Sequence, residues 1–284
     1  MTNIHNQSRL ASAGRCVAEL SKLPGLRCVL LTGSVASGQA DAASDVDMAV
    51  YFDEMPGREQ LEAFRAALAG GDWIFFFGDP AEGGCAISFS IDGVKHDFGM
   101  AALEPWREWM QDILVEHNHE SPLQKAASGI MDASVLYGPV TADWIRQQVQ
   151  DYPRGLGVRM LQAHLNFFPA WVPLQMAWQR GDILHYQQIL VEEANHLLHL
   201  LCAVNSVYHY GEFKRLGQYA AKFRLGPRDV EHRINALFSS PPEQAVGEIH
   251  AMLAELMQLI ERDWPEVDTA RQRMRLALPQ QPAG

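Results

Sequence analysis

The chain has 284 residues, 48% of them hydrophobic and 20% charged, which is the composition of a globular protein with a substantial core. Its net charge of −11 and the lack of any Lys/Arg run argue against long nucleic acid as the main partner. No stretch of about eighteen apolar residues is present, and the N-terminus lacks the apolar segment of a signal peptide. We therefore expect a cytoplasmic protein without a membrane span.

The N-terminal part of the chain predicts alternating helices and strands. Residues 8–22 predict a helix that ends at Pro24-Gly25. The turn Asp92-Gly93 predicts a hairpin between the last two strands. The remaining predicted elements are a helix over 58–69 and strands over 27–31, 46–52, 73–77, 85–91 and 94–100. Together they indicate a small mixed-sheet domain over residues 1–104.

Beyond Pro105 the alternation typical of strands gives way to helical periodicity. Helices are predicted over 105–117, 122–134, 141–150, 155–168, 173–180, 182–209, 212–223, 227–238 and 242–262. The last six residues, PQQPAG, are expected to form a frayed tail. The predicted fold class is α+β, with an all-helical domain over residues 105–284 behind the mixed-sheet domain.

The most informative segment is Gly33-Ser34, followed after ten residues by Asp45-Val46-Asp47. Gly33 allows a sharp turn at a strand end, where Ser34 and neighbouring N–H groups can accept phosphate oxygens. Asp45 and Asp47 lie two residues apart on a strand, so both point to one face. Their mutual repulsion is most easily relieved by a divalent cation, and Mg²⁺ fits hard oxygen ligands best. Asp97, in a later predicted strand, completes a possible carboxylate triad.

The run GSVASGQADAASDVDMAVYF resembles the signature of the polymerase-beta-type nucleotidyltransferase superfamily. That signature is Gly-Ser, about ten residues, Asp-x-Asp in a strand and a third Asp in a later strand, and the resemblance covers roughly residues 8–100. The short catalytic domain with helices behind it is similar to antibiotic nucleotidyltransferases of the aminoglycoside and lincosamide type. Many members carry an Arg between Gly-Ser and the first Asp, whereas this chain has Ser37 and Gln39 there.

The resemblance implies transfer of a nucleotidyl group, usually AMP from ATP, to a hydroxyl of a small molecule, with loss of pyrophosphate. Asp45, Asp47 and Asp97 would then hold Mg²⁺ and catalyse the transfer, and Gly33 and Ser34 would bind the triphosphate. The expected partners are a nucleoside triphosphate and a small acceptor, and a homodimer is conceivable. Two alternatives stay open: a protein acceptor, as in toxin–antitoxin pairs, and a nucleotide-binding regulator without turnover.

The long helix predicted over 182–209 provides a candidate general base. Glu193 lies at the edge of its apolar arc, where a carboxylate needs a partner or a task. We expect Glu193 to face a cleft between the domains, with Glu192 as the alternative base. Burial of Glu193 in the helical core would instead leave the role to Asp97.

The segment that begins at Asn205 and includes Tyr208 and Tyr210 resembles an Asn-x-x-Tyr…Gly…Lys pattern of some bacterial nucleotidyltransferases. Its Lys214 is expected to contact the triphosphate, which would offset the missing Arg.

Overall fold

The computed structural model describes residues 3–209 and 211–278, and these divide into two compact units. The first comprises the described residues up to Glu116 together with Lys125–Asp151. The second comprises His117–Gln124 and the described residues from Tyr152 onward. The predicted frayed tail and Tyr210 lie outside the described residues.

A six-stranded mixed sheet forms the centre of the first unit. Its strand order is β3-β4-β5-β2-β1-β6, with β2 and β5 parallel and the other neighbours antiparallel. In chain order, the elements up to Val149 are α1 (Ile4–Leu20), β1 (Leu26–Thr32), α2 (Gly33–Ala36), β2 (Val46–Phe52), α3 (Arg58–Ala67), β3 (Trp73–Asp79), β4 (Gly84–Ile91), β5 (Val94–Ala102), α4 (Leu103–Leu114), α5 (Leu123–Asp132), β6 (Ser134–Tyr137) and α6 (Pro139–Val149).

One face of the sheet packs into a closed apolar core. Val46, Val50 and Phe98 point to this face and are at most 1% exposed, and residues of α1 and α3 cover them. Because side chains alternate along a strand, the residues between them point to the opposite face. Asp47, Ala49, Asp97 and Gly99 belong to that opposite face and remain partly or fully exposed. The alternation thus separates a structural face from a face that ligands can reach.

The second unit is helical. It contains α7 (Arg154–His164), a π-helix at Val172–Ala177, a short 3₁₀ turn at Trp178–Arg180, α8 (Ile183–Val204), α9 (Leu216–Ala220), α10 (Val230–Leu237), α11 (Pro242–Asp263) and α12 (Ala270–Leu276). The Asp182 side chain begins α8 by accepting a hydrogen bond from the His185 N–H at 3.2 Å. Leu197, Leu201 and Leu253 are fully buried between α8 and its neighbours, so apolar packing holds the helices together.

The α+β fold class is confirmed, with a mixed sheet followed by helices. The unit boundary differs from the predicted one, because the sheet-containing unit extends to Asp151 instead of ending at residue 104. The cause is β6, a strand of four residues that pairs with β1 and that no sequence pattern indicated. Among the described residues, no helix combines the length and apolar character needed to cross a membrane.

Candidate active site

The turn after β1 brings backbone and carboxylate into close contact. Gly33 has φ +66°, a conformation that favours glycine. A Cβ atom at this position would lie 2.5 Å from Oδ2 of Asp47, so any side chain here would displace that carboxylate. The positive φ and this close contact both favour glycine at Gly33, and Asp47 lies directly beside the Gly33-Ser34 turn. This placement agrees with a phosphate-binding turn next to a carboxylate.

Hydrogen bonds within the loop and from α1 fix the chain between Ser34 and Asp45. Ser44 and Asp41 bond each other, since the Ser44 hydroxyl donates to Asp41 Oδ1 and accepts from the Asp41 N–H, both at 2.9 Å. The Arg9 guanidinium, buried on α1, donates to the backbone oxygens of Ser44 at 3.0 Å and Ala42 at 3.1 Å. These bonds fix the backbone just before Asp45, so Arg9 is a positioning residue that sequence reasoning missed.

The parallel pairing of β2 and β5 brings the aspartates together. Asp47 and Asp97 are register partners on neighbouring strands, so their side chains project from the same face. Asp45 reaches the same place, because the Lys95 ammonium bonds both Asp45 Oδ2 at 3.3 Å and Asp97 Oδ2 at 2.6 Å. The Ser88 hydroxyl on β4 donates to the other oxygen of Asp97. This geometry is consistent with the predicted convergence of the three aspartates.

Lys95 and Ser88 are site residues that the sequence interpretation missed. Lys95 precedes Asp97 by two residues and so faces the same side of β5. The same alternation that linked Asp45 to Asp47 could have identified it. Ser88 carried no such signal, because its contact with Asp97 depends on the register of β4 against β5.

The charges at the site are unbalanced. The pKa of Asp47 is raised, first by burial and then by the neighbouring charges of Asp97 and Asp45, although Lys95 and Lys125 act in the opposite direction. The pKa of Lys95 is raised as well, chiefly by its hydrogen bond to Asp97. Repulsion between the carboxylates thus exceeds the compensation that the two lysines provide. A bound divalent cation would relieve it.

The three carboxylates suit Mg²⁺ in chemistry, since they are hard oxygen donors crowded on one face. In the part of the chain that the structure describes, no group of three or more His, Cys, Asp or Glu side chains is already spaced for a metal ion. The Lys95 ammonium stands between Asp45 and Asp97. Metal binding at these residues would require Lys95 to move away from Asp97.

A buried histidine supports β5 from the opposite face of the sheet. His96 is fully buried, its Nδ1 lies 2.9 Å from the Val94 carbonyl oxygen, and its Nε2 lies 2.8 Å from the Ser12 hydroxyl. Burial lowers the pKa of His96, which favours the neutral ring. The neutral ring donates from Nδ1 to the carbonyl and accepts at Nε2 from the hydroxyl. These bonds anchor the strand segment that carries Asp97.

Glu193 is in the helical core instead of facing an open cleft. Its side chain is only 1% exposed, and Oε1 accepts a 2.8 Å hydrogen bond from the Phe168 N–H. Burial raises its pKa to about 7. A carboxyl that is enclosed and bonded to backbone is suited to holding the loop at Phe168, so we no longer assign Glu193 as the base. Glu192 is exposed and lies 3.7 Å from Nε2 of His196.

The segment that contains Lys214 is stabilised by Asn205. The Asn205 amide group donates to the carbonyl oxygens of Leu201 and Leu225, and its oxygen accepts from the Arg224 and Leu225 N–H groups. Lys214 is 85% exposed and forms an ion pair with Glu212 at 3.5 Å. Asn205 therefore has a structural role in the helical unit, and the triphosphate contact of Lys214 stays a prediction.

Comparison with known proteins gives a class for the N-terminal part. Residues 15–78 match the family model of the nucleotidyltransferase domain. The matched segment contains Gly33, Ser34, Asp45 and Asp47 and ends before Asp97, whose assignment depends on the register of β5. The match supports nucleotidyl transfer as the general activity.

A nucleotidyltransferase-like protein from Exiguobacterium sibiricum 255-15 has a crystal structure to which this chain is similar at 13% identity. The similarity covers 86% of this chain and 72% of that one, with a TM-score of 0.31. At that TM-score it adds nothing to the functional assignment. No curated protein matches the chain.

Proposed function

We propose that this protein is a Mg²⁺-dependent nucleotidyltransferase that transfers AMP from ATP to a hydroxyl group of a small molecule and releases pyrophosphate. The observation that carries the proposal is the register pairing of Asp47 with Asp97 beside the Gly33-Ser34 turn. The match of residues 15–78 to the nucleotidyltransferase domain supports the same activity. A regulator without turnover would have no need for the crowded carboxylates, which add to the effect of burial in raising the pKa of Asp47.

In this proposal each side chain has a defined task. The Gly33-Ser34 turn binds the triphosphate, and Asp45 and Asp47 face its α-phosphorus, with Asp97 on the far side from the turn. When bound, Mg²⁺ held by the three carboxylates would polarise the phosphoryl oxygens and neutralise developing negative charge.

Asp97 accepts the proton of the acceptor hydroxyl. The hydroxyl oxygen then forms a bond to the α-phosphorus, while the bond from that phosphorus to the bridging oxygen breaks and pyrophosphate leaves. Asp97 is bonded to Lys95 and Ser88. Lys95 must therefore release one Asp97 oxygen before the proton can be accepted.

The acceptor class that the resemblance implies is an antibiotic of the aminoglycoside or lincosamide type. Lys214 is proposed to contact the triphosphate as a point charge. The net charge of −11 makes long nucleic acid an unsuitable acceptor. A protein acceptor is the second candidate within the same chemistry, and it would leave the roles of the aspartates unchanged.

The proposal is tested by measuring pyrophosphate release from Mg²⁺-ATP with the full-length protein and a library of hydroxyl-bearing acceptors. We expect one acceptor class to stimulate release, and Asp97→Asn to abolish it. Asp53→Asn is the matched control, because Asp53 follows the other end of β2 and its exposed carboxylate pairs with Arg27. Release that is independent of Asp97, or equally sensitive to Asp53, would contradict the proposal.

A further inference from the structure

The exposed face of the sheet continues from the aspartates towards the edge strand β3. Register pairing aligns Asp47, Asp97, Ser88 and Phe75 in one row across four strands. Ser88 is fully buried and bonds Asp97, so the row is continuous from the carboxylates to Phe75. The Lys95 ammonium lies 5.9 Å from the centre of the Phe75 ring, which places that ring on the same face as the site.

The next row along the strands consists mainly of small residues. Register pairing aligns Ala49, Gly99 and Ala86, and it ends at Phe77 on β3. Gly99 is exposed, and a Cβ atom there would meet no other atom within 4 Å. The space above these small residues, beside Asp97, is therefore open.

Two phenyl rings on the edge strand β3 lie next to these small residues. Phe77 is 78% exposed and Phe75 39% exposed, although both are large apolar side chains. Trp109, on α4, lies at the Gly84 end of the same face and is 38% exposed. Exposed aromatic rings grouped on one face are typical of a binding surface, whereas isolated exposed apolar residues need no explanation. We call Phe75, Phe77, Ala86 and Gly99 the aromatic floor.

The position of the Gly33-Ser34 turn decides which substrate lies on the aromatic floor. The turn follows β1, on one side of Asp47, whereas β5, β4 and β3 follow on the other side. In an in-line displacement the attacking oxygen and the leaving pyrophosphate lie on opposite sides of the phosphorus. If the triphosphate binds at the turn, the acceptor hydroxyl approaches from the Asp97 side. The aromatic floor is on that side.

We propose that the aromatic floor binds the acceptor, and that the acceptor carries a flat apolar ring beside its reactive hydroxyl. Two strand spacings, about 9–10 Å, separate the backbones at Asp97 and Phe75. The Lys95 ammonium lies between the two side chains, 2.6 Å from Asp97 Oδ2 and 5.9 Å from the centre of the Phe75 ring. The two rows hold no acidic side chain besides Asp47 and Asp97, which the proposed function assigns to Mg²⁺. The rest of the two rows therefore offers no carboxylate for the ammonium groups of a polycationic aminoglycoside. The inference rests on the proposed function and narrows its acceptor class.

The test uses the full-length protein and two probes, 2-naphthylmethanol as a flat apolar alcohol and kanamycin as a polycationic one. Saturable binding of each is measured by equilibrium dialysis, and Mg²⁺-ATP binding is measured separately by calorimetry. We expect wild-type protein to bind 2-naphthylmethanol more tightly than kanamycin. Phe77→Ser should weaken binding of 2-naphthylmethanol at least tenfold and leave ATP binding within twofold of wild type.

Ile74→Ser is the matched control. Ile74 belongs to the same strand and is 52% exposed, but it lies outside the two rows. Both variants change exposed side chains, so both are expected to fold, and the control should bind each probe as wild type does. Equal effects of the two variants, tighter binding of kanamycin, or absence of saturable 2-naphthylmethanol binding would overturn the inference.

ATP binding separates this inference from the proposed function. Loss of ATP binding in Phe77→Ser would show that the rings contact the nucleobase, which also overturns the acceptor assignment. Failure of wild-type protein to bind Mg²⁺-ATP would instead contradict the proposed function itself. The two results are distinguishable because the first is loss of ATP binding in the Phe77→Ser variant and the second is lack of ATP binding in the wild-type protein.

Discussion

Acidification should destabilise the helical unit through four neighbouring histidines whose pKa values are lowered first by burial: His164, His196, His199 and His209. The rings of His164 and His199 are stacked with centroids 4.1 Å apart, and Nδ1 of His164 lies 2.9 Å from Nδ1 of His196. Burial, reinforced by the charges of His199 and His196, lowers the pKa of His164 to about 2. Burial also lowers the pKa of His209 to about 4.

The direction of the effect follows from proton linkage. An unfolded histidine has a pKa of about 6.5, so below that pH the unfolded chain binds more protons than the folded one. The stabilisation is fully present above pH 6.5 and is lost as the pH falls towards the folded pKa values. At about pH 5.5 each such histidine costs about 1.4 kcal/mol of folding free energy. His164 and His209 together cost about 3 kcal/mol, a large part of the roughly 5–15 kcal/mol that stabilises a typical domain.

Urea unfolding at a series of pH values, followed by far-UV circular dichroism, measures this loss because this unit contains α8 and α11, the two longest of the described helices. Hydrogen exchange of α8 peptides identifies the unit that responds. His164→Gln should decrease the slope of unfolding free energy against pH by about 1.2 kcal/mol per unit between pH 6 and 5. His185→Gln is the matched control, since His185 is exposed at the start of α8. A flat profile in wild type, or equal effects of the two variants, would refute the reasoning.

The remaining predictions concern the candidate site and its assigned roles. Asp47→Asn should fold at least as stably as wild type, because a repelling carboxylate is removed, yet lose about a thousandfold or more in pyrophosphate release; near wild-type turnover would contradict the mechanism. Gly33→Ala should lose more activity and stability than Gly38→Ala, because both have positive φ but only Gly33 contacts Asp47; melting temperature and turnover of the two variants compare them directly. Glu193→Gln should keep turnover within about twofold of wild type, and a loss of about a hundredfold or more in a folded protein would restore its role as the base. Lys214→Ala should raise the KM for ATP several-fold with little change in kcat, and an unchanged KM would remove Lys214 from the triphosphate site.

Sequence alone located the core of the candidate site. The spacing from Gly33-Ser34 to Asp45 and Asp47 depends only on residues close together in the chain, and strand alternation predicted both carboxylates on one face. In the structure β2 begins at Val46, one residue after Asp45, and the Lys95 contact shows that Asp45 reaches the same face. Most helices of the C-terminal part were also predicted, because periodicity is a local property, but α12 was not. The hairpin at Asp92-Gly93 was predicted from the turn residues and joins β4 to β5.

Tertiary structure decided what depends on contacts between distant residues. The short strand β6 exists because β1 offers it a pairing edge, and it extends the sheet-containing unit to Asp151. Ser88 reached the site through strand register, and Arg9 through contact with a loop about thirty-five residues away in sequence. Register cannot be obtained from the pattern of one strand, because a shift of two residues preserves that pattern and changes every partner.

Glu193 illustrates the same limit. Helical periodicity placed it at the edge of an apolar arc, and that position is compatible with either a cleft or a core. Only the packing of the loop at Phe168 against α8 buries the carboxylate and provides the backbone N–H that it bonds. The sequence determined which residue types were available for chemistry, and long-range packing determined which of them share a surface, because side-chain neighbours across elements are set by the assembled fold.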